Sequence, residues 1–302
     1  MNELYILPFD HRSTFVRDLL GFKYPLSLEQ KKSVEEAKYI VFDGFKQVYR
    51  DYSNKNYLGI LCDEEFGLPI LKEAKTSGIN FAVCTEKSGQ ESFEFEYGDK
   101  FSEHLLKLKP EWAKALVRYN PASIEINIKQ REVLKKLYDF CAGNGIKMMV
   151  EPLIIPTKEQ LDEVSGDKKV FDFSVRPTLM PILVQEFYES GIFPQVWKIE
   201  AVETRRDWQK IIEAVTGKGS RKDSHLIVLG RGESWEKVVD WLKLASHFKE
   251  IIGFAVGRTV FWEPLVSFQK KELTRDEAVS EIAKRYKLLI EIWEEYRFSD
   301  IN

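Results

Sequence analysis

The stretch QVWKIEAV, residues 195–202, decides how this chain is read. Val196, Trp197, Ile199, Ala201 and Val202 suit a buried strand, yet Lys198 stands in the middle and Glu200 follows two residues on. A lysine is rarely fully buried without a partner or a job. Side chains alternate along a strand, so Lys198 and Glu200 share one face and Trp197 and Ile199 the other. If the apolar face is covered by helices, Lys198 points to the inside of a sheet.

Seven more segments have strand length and composition: 4–10, 57–63, 80–86, 112–119, 147–153, 225–231 and 253–258. Between them lie stretches with helical spacing, such as Val34, Ala37, Val41, Phe45 and Val48, or Val279, Ile282, Tyr286, Leu289, Trp293 and Tyr296. Ser27 with Gln30, Pro69, and Thr274 with Glu277 mark helix starts. Gly78, Gly145 and Gly191, each followed by isoleucine, mark helix ends. Eight β units alternating with helices predict a parallel sheet with right-handed crossovers, and the count favours closure into a single (β/α)8 TIM barrel. An open doubly wound sheet is the alternative. No linker divides the chain, so one domain over 1–302 is expected, with 155–180 an irregular segment near the barrel mouth.

Composition narrows the function classes. The 302 residues are 44% hydrophobic, and charged residues reach 31% with a net charge of only −3. Nothing basic points to nucleic acid. The three cysteines, Cys62, Cys84 and Cys141, are far apart and sit in apolar surroundings, as free thiols in a reducing compartment would. No signal peptide and no 18-residue apolar run occur, so a cytoplasmic location without membrane contact is expected. The four histidines show no metal-ligand spacing and no nucleotide loop is present, so neither metal nor cofactor is expected. Trp293 and Tyr296, read as exposed on the last helix, would suit a homo-oligomer.

A TIM barrel gathers its chemistry at the C-terminal ends of its strands. There the chain places Asp10, His11 and Arg12; Asp63 and Glu64; Glu86 and Lys87; Arg118 and Asn120; Glu151; Lys198 and Glu200; Gly230-Arg231-Gly232; and Gly257-Arg258. Parity puts Lys114, Leu116 and Arg118 on one face of their strand and Lys147, Met149 and Glu151 on one face of the next. Lys114, Glu151 and Lys198 are thus expected to meet inside. Burial and a neighbouring lysine both favour a neutral amine. Such an amine attacks carbonyls and forms a Schiff base, with Glu151 moving protons. An internal ion pair of Lys198 with Glu151 or Glu200 is the plainer reading, and spacing leaves it open. The two Gly-Arg corners, Gly230-Arg231 and Gly257-Arg258, follow strands 7 and 8, where barrels often bind phosphate.

The motifs FDHRSTF (9–15), DEEFG (63–67), EKSGQESFEFEYGDKFSEH (86–104), KALVRYNP (114–121), VWKIE (196–200), VLGRG (228–232) and GFAVGRTVFW (253–262) carry a resemblance. The chain resembles, over nearly its whole length, the domain fused behind the sugar kinase of bacterial inositol-catabolism proteins, assigned as a 2-deoxy-5-keto-gluconate 6-phosphate aldolase. More distantly it is similar to class I aldolases of the tagatose-bisphosphate and sulfofructose-phosphate type. The resemblance implies Lys198 as the Schiff-base lysine, Lys114 and Glu151 as its partners, Asp10 and Arg12 as strand-1 substrate ligands, and Gly257 with Arg258 as a phosphate grip. On strand 7 the pattern departs from those aldolases, and Ala201 stands where glycine is expected. The implied activity is a carbon–carbon lyase acting on a phosphorylated keto sugar or keto sugar acid. Two other readings stay open: a phosphosugar isomerase or epimerase, and a non-catalytic sugar-phosphate-binding barrel.

Overall fold

A computed structural model describes residues 3–221 and 223–297. The ends of the expected 1–302 span, residues 1–2 and 298–302, lie outside the described residues. Eight parallel strands close into a barrel in sequence order: β1 (Leu4–Pro8), β2 (Leu58–Cys62), β3 (Asn80–Cys84), β4 (Trp112–Tyr119), β5 (Lys147–Ile154), β6 (Val196–Glu200), β7 (His225–Leu229) and β8 (Ile251–Ala255). The expected (β/α)8 barrel is therefore the fold, and the open sheet is excluded. β4 has the predicted bounds, whereas β8 starts two residues earlier than expected. Ile251 and Ile252 extend it backwards, and Val256-Gly257 already turns into the next helix.

Parity separates two cores. Leu4, Ile6, Leu61, Ala82, Trp112, Met149, Val196, Ile227, Ile252 and Ala255 form one buried cluster, which fills the barrel interior. Their strand neighbours, among them Leu7, Ile60, Val83, Ala113, Val150, Trp197 and Phe254, join the larger core between sheet and helices. The next inward positions toward the strand C-termini, beyond Trp112, Met149 and Val196, are Lys114, Glu151 and Lys198. The apolar layer is thus the floor on which the polar site rests.

The helices are α1 (Leu28–Asp51), α2 (Glu64–Thr76), α3 (Phe101–Leu108), α4 (Ile124–Asn144), α5 (Lys158–Glu163), α6 (Lys168–Val170), α7 (Arg176–Glu189), α8 (Arg205–Thr216), α9 (Trp235–Ser246), α10 (Arg258–Gln269) and α11 (Arg275–Arg297). Ser27 and Gln30 form the expected capping box of α1. α2 does not start at Pro69: Asp63 caps it by accepting from the Phe66 N–H, and Pro69 lies inside. At the sixth position of the helix Pro69 has no N–H to offer the Glu65 carbonyl, so it is an interior proline and not a start signal. α1 and α11 pack so closely at Gly44 that a Cβ there would lie 2.6 Å from Ile282 Cγ2. Trp293, read as exposed, is buried: it packs on Phe254 and its Nε1 donates to Glu3 at 2.9 Å. The apolar stripe of α11 therefore turns inward through its last turns, and Trp293 offers no surface for an oligomer. Among the described residues no helix is long and apolar enough to cross a membrane.

Segment 155–180 is built of short helical pieces. Thr157 and Gln160 box α5, Asp167 caps α6, and a wide turn through Phe171–Val175 leads into α7. From the start of α7 the buried Arg176 donates to the carbonyls of Glu200 at 3.1 Å and Ala201 at 2.8 Å. This ties the segment over the end of β6.

Gly257, expected as a phosphate ligand, has a packing reason to be glycine. A Cβ there would lie 2.1 Å from the Pro8 carbonyl oxygen of β1. Gly257→Ala is expected to lower the urea-unfolding free energy by about 2 kcal/mol, the usual cost of forcing atoms into a filled site. An unchanged midpoint would show that β1 and β8 can separate freely.

Candidate active site

The register explains how the central residues meet. Met149 pairs with Val196 and Val150 with Trp197 across β5 and β6, so Glu151 and Lys198 are the next neighbours. Lys114 pairs with Met149 across β4 and β5, and its long side chain climbs to the same level. Glu151 Oε2 lies 2.8 Å from Lys114 Nζ and 3.0 Å from Lys198 Nζ. All three side chains are buried, Lys198 with only 2% of its surface exposed. The expected meeting of the two lysines and the glutamate is therefore present. Lys198 pairs with Glu151 and not with Glu200, which instead faces Arg231 Nε at 2.9 Å and Arg176 Nη1 at 4.0 Å.

The two lysines are not equivalent. Lys114 Nζ also donates to Asp10 at 2.9 Å and Glu86 at 2.7 Å. Burial works against its charge, but Asp10, Glu151 and Glu86 outweigh it and hold the ammonium well above the ordinary lysine range. Lys198 shares a single carboxylate, and on an oxygen that already faces Lys114. Burial favours the neutral acid for Asp10 and Glu151, yet Lys114 and then its neighbours pull both below their usual values. Glu86 moves the other way, raised by burial despite Lys114. Burial pushes the His11 imidazole down to about 4, so it is neutral at pH 7. Asp10, Cys84 and Glu86 lie close enough to ligate a cation. The Lys114 ammonium already bonds both carboxylates of that group.

A cavity of about 300 Å³ opens above this cluster, lined by Asp10, Arg12, Glu86, Lys114, Glu151 and Lys198 together with Ser13, Arg17, Lys87, Ser88 and Arg118. Arg12 lines it but is engaged: Nη1 donates to Glu96 at 2.5 Å and Nη2 to the Glu86 carbonyl at 2.7 Å. The Gly-Arg corners are elsewhere. Arg231 is tied to Asp172 at 2.6 Å and to Glu200, and Gly230 packs on Val256. Arg258, exposed, lies over Gly232 and lines a separate cavity with Trp235 and Trp262. Neither Arg231 nor Arg258 lines the Lys198 cavity.

Two features escaped the sequence reading. Glu86 stood at a strand end without a role, although it anchors Lys114. Lys38 of α1 was not singled out. It is fully buried and donates to Asp63 and to the Phe9 carbonyl, both at 2.5 Å, which ties the ends of β1 and β2 beside Asp10. Its signal was a lysine set between Val34 and Val41 on an apolar stripe.

Removing Lys114 leaves three buried carboxylates facing one lysine. Lys114→Met is expected to cost about 3 kcal/mol of stability at pH 7. Asp10 and Glu151, held below their ordinary 3.8 and 4.5, supply stability above those values that is lost as pH falls. Without Lys114 burial raises them, so protonation relieves the variant first. The gap between wild type and variant should narrow from pH 7 to about pH 4 in paired urea titrations. A gap that is constant or widens would contradict this charge assignment.

Comparison with known proteins supports the fold. A Plasmodium falciparum fructose-bisphosphate aldolase, solved with TRAP and a small-molecule inhibitor, superimposes with a TM-score of 0.65 at 14% identity, covering 100% of this chain and 93% of that one. A Corynebacterium glutamicum protein superimposes with a TM-score of 0.55 at 15% identity, covering 95% of this chain and 86% of that one. No curated protein matches the sequence. The barrel is thus similar in fold to an aldolase, at a distance that carries no substrate. A family model matches residues 1–297, and the chain belongs to that family, described as "Uncharacterized protein conserved in bacteria (DUF2090)".

Proposed function

We propose that the protein is a class I, Schiff-base aldolase. The observation that carries this reading is the buried Glu151 carboxylate shared by two unequal lysines, at 2.8 Å and 3.0 Å. Lys114, anchored by Asp10 and Glu86, supplies a fixed positive charge. That charge competes with Lys198 for the one carboxylate they share, and Lys198, without the further partners that anchor Lys114, is the amine assigned to attack on a ketone. Lys198 Nζ adds to the carbonyl carbon. The carbinolamine then loses water, with Glu151 relaying the protons, and leaves an iminium. The iminium draws the electron pair of the neighbouring carbon–carbon bond as that bond breaks, while Glu151 takes the proton of the hydroxyl on the departing aldehyde. Protonation of the enamine and hydrolysis release the ketone product and restore Lys198.

The substrate class that fits is a phosphorylated keto sugar or keto sugar acid. The motif resemblance makes 2-deoxy-5-keto-gluconate 6-phosphate the specific candidate, cleaved to dihydroxyacetone phosphate and malonate semialdehyde. Asp10 and Lys114, which line the Lys198 cavity, are the residues assigned to hold substrate oxygens. Arg258, with the Gly257 corner, is the proposed contact for phosphate at the rim. Arg231 joins it only if phosphate displaces Asp172 and Glu200.

Incubation with dihydroxyacetone phosphate followed by borohydride should add the reduced ketone mass to the Lys198 peptide. Lys198→Ala should abolish the adduct. An adduct confined to Lys114 would exchange the roles of the two lysines, and none at any ketone concentration would favour a non-covalent isomerase or a binding barrel. Glu151→Gln should lower single-turnover cleavage by about 100-fold or more, the usual contribution of a positioned acid–base group. A change of less than about threefold would remove Glu151 from the proton relay.

A further inference from the structure

The Lys198 cavity is more cationic than its covalent chemistry needs. Its lining brings together six Lys and Arg side chains and only three carboxylates, in a chain whose net charge is −3. Three of the cations, Arg17, Lys87 and Arg118, stand at the mouth on the side of β1, β3 and β4, away from the Gly-Arg corners of β7 and β8. Arg17 and Arg118 differ from three other arginines around the barrel mouth. Arg12, Arg176 and Arg231 each face a carboxylate. Arg118 is half-buried, yet its guanidinium donates only to the Gln90 carbonyl at 2.5 Å, and among the described residues no carboxylate pairs with it. Arg17 likewise has no carboxylate partner among the described residues. Lys87 has only a loose contact to Glu94, at 3.6 Å. A partly desolvated guanidinium without an anion is costly to hold, and its planar fork matches an oxyanion.

We propose that Arg118, with Arg17 and Lys87, forms an anion site that grips the end of the substrate remote from the β7–β8 corners. The ligand chemistry is a terminal carboxylate or phosphate. Resting on the aldolase reading, this deepens it: a substrate with an anionic group at each end, such as a phosphorylated keto sugar acid, satisfies the cavity, and a keto sugar with one anionic end leaves Arg118 unpaired. Ser13 and Ser88 hydroxyls, 3.4 Å apart, stand beside the same mouth and can donate to the anion's oxygens.

The test is calorimetric titration of the full chain with malonate and, separately, with inorganic phosphate, at low and at raised salt. At least one anion should bind in a salt-sensitive manner. Arg118→Gln should weaken that binding tenfold or more. Arg17→Gln changes an exposed side chain, so folding is not at issue, and should weaken it about threefold or more. Malonate in preference to phosphate assigns a carboxylate end, and the reverse assigns a second phosphate. Anion binding is read directly by the titration, so the site is tested even if no Schiff base forms. Binding unaffected by Arg118→Gln and Arg17→Gln, binding abolished by Arg258→Gln alone, or no binding of either anion would overturn the proposal.

Discussion

The structure depends on one shared ion contact: a single carboxylate oxygen of Glu151 between the ammonium groups of Lys114 and Lys198, inside a closed barrel. Buried charges are expensive, and they persist only when paired and held in place. Here the barrel supplies the holding. The apolar layer of Trp112, Met149 and Val196 fixes the level of the three side chains, and strand register fixes their neighbours. Asp10 and Glu86 then load Lys114 with negative partners, and Lys198 is left with a fraction of one. The asymmetry arises from which strands flank each lysine.

Around this contact the fold adds braces. Lys38 reaches from α1 to Asp63 and the Phe9 carbonyl, and so fixes the strand end that bears Asp10. Arg176 ties segment 155–180 to the end of β6, two residues beyond Lys198. Arg12 joins the β3–α3 connection through Glu96 and the Glu86 carbonyl. Each brace is itself a buried or half-buried cation with an oxygen partner, so the rim of the barrel is held by charge where the floor is held by apolar packing.

The barrel and its central triad were legible because both rest on strict periodicities. Alternation along VWKIE places Lys198 inward whatever the distant chain does, and the same parity holds for Lys114 and Glu151. What sequence could not give were contacts between distant segments. Arg231 looked available after β7, but Asp172, from the irregular stretch before α7, comes across to claim it. Gly257 suited an anion corner, and only the approach of Pro8 reveals a steric reason for glycine. Trp293 read as exposed because nothing local says that α11 stays packed to its end. Lys38 was hidden by the opposite problem: a lysine on an apolar stripe is ambiguous until Asp63 is seen beneath it.

The account turns on which amine is the nucleophile and which is the fixed charge. A crystal structure of the protein soaked with dihydroxyacetone phosphate reads this directly. Electron density continuous from Lys198 Nζ to the ketone carbon, with Lys114 still bridging Asp10, Glu86 and Glu151, is the predicted result. Density continuous with Lys114, or a ketone bound without a covalent link to either lysine, would contradict it.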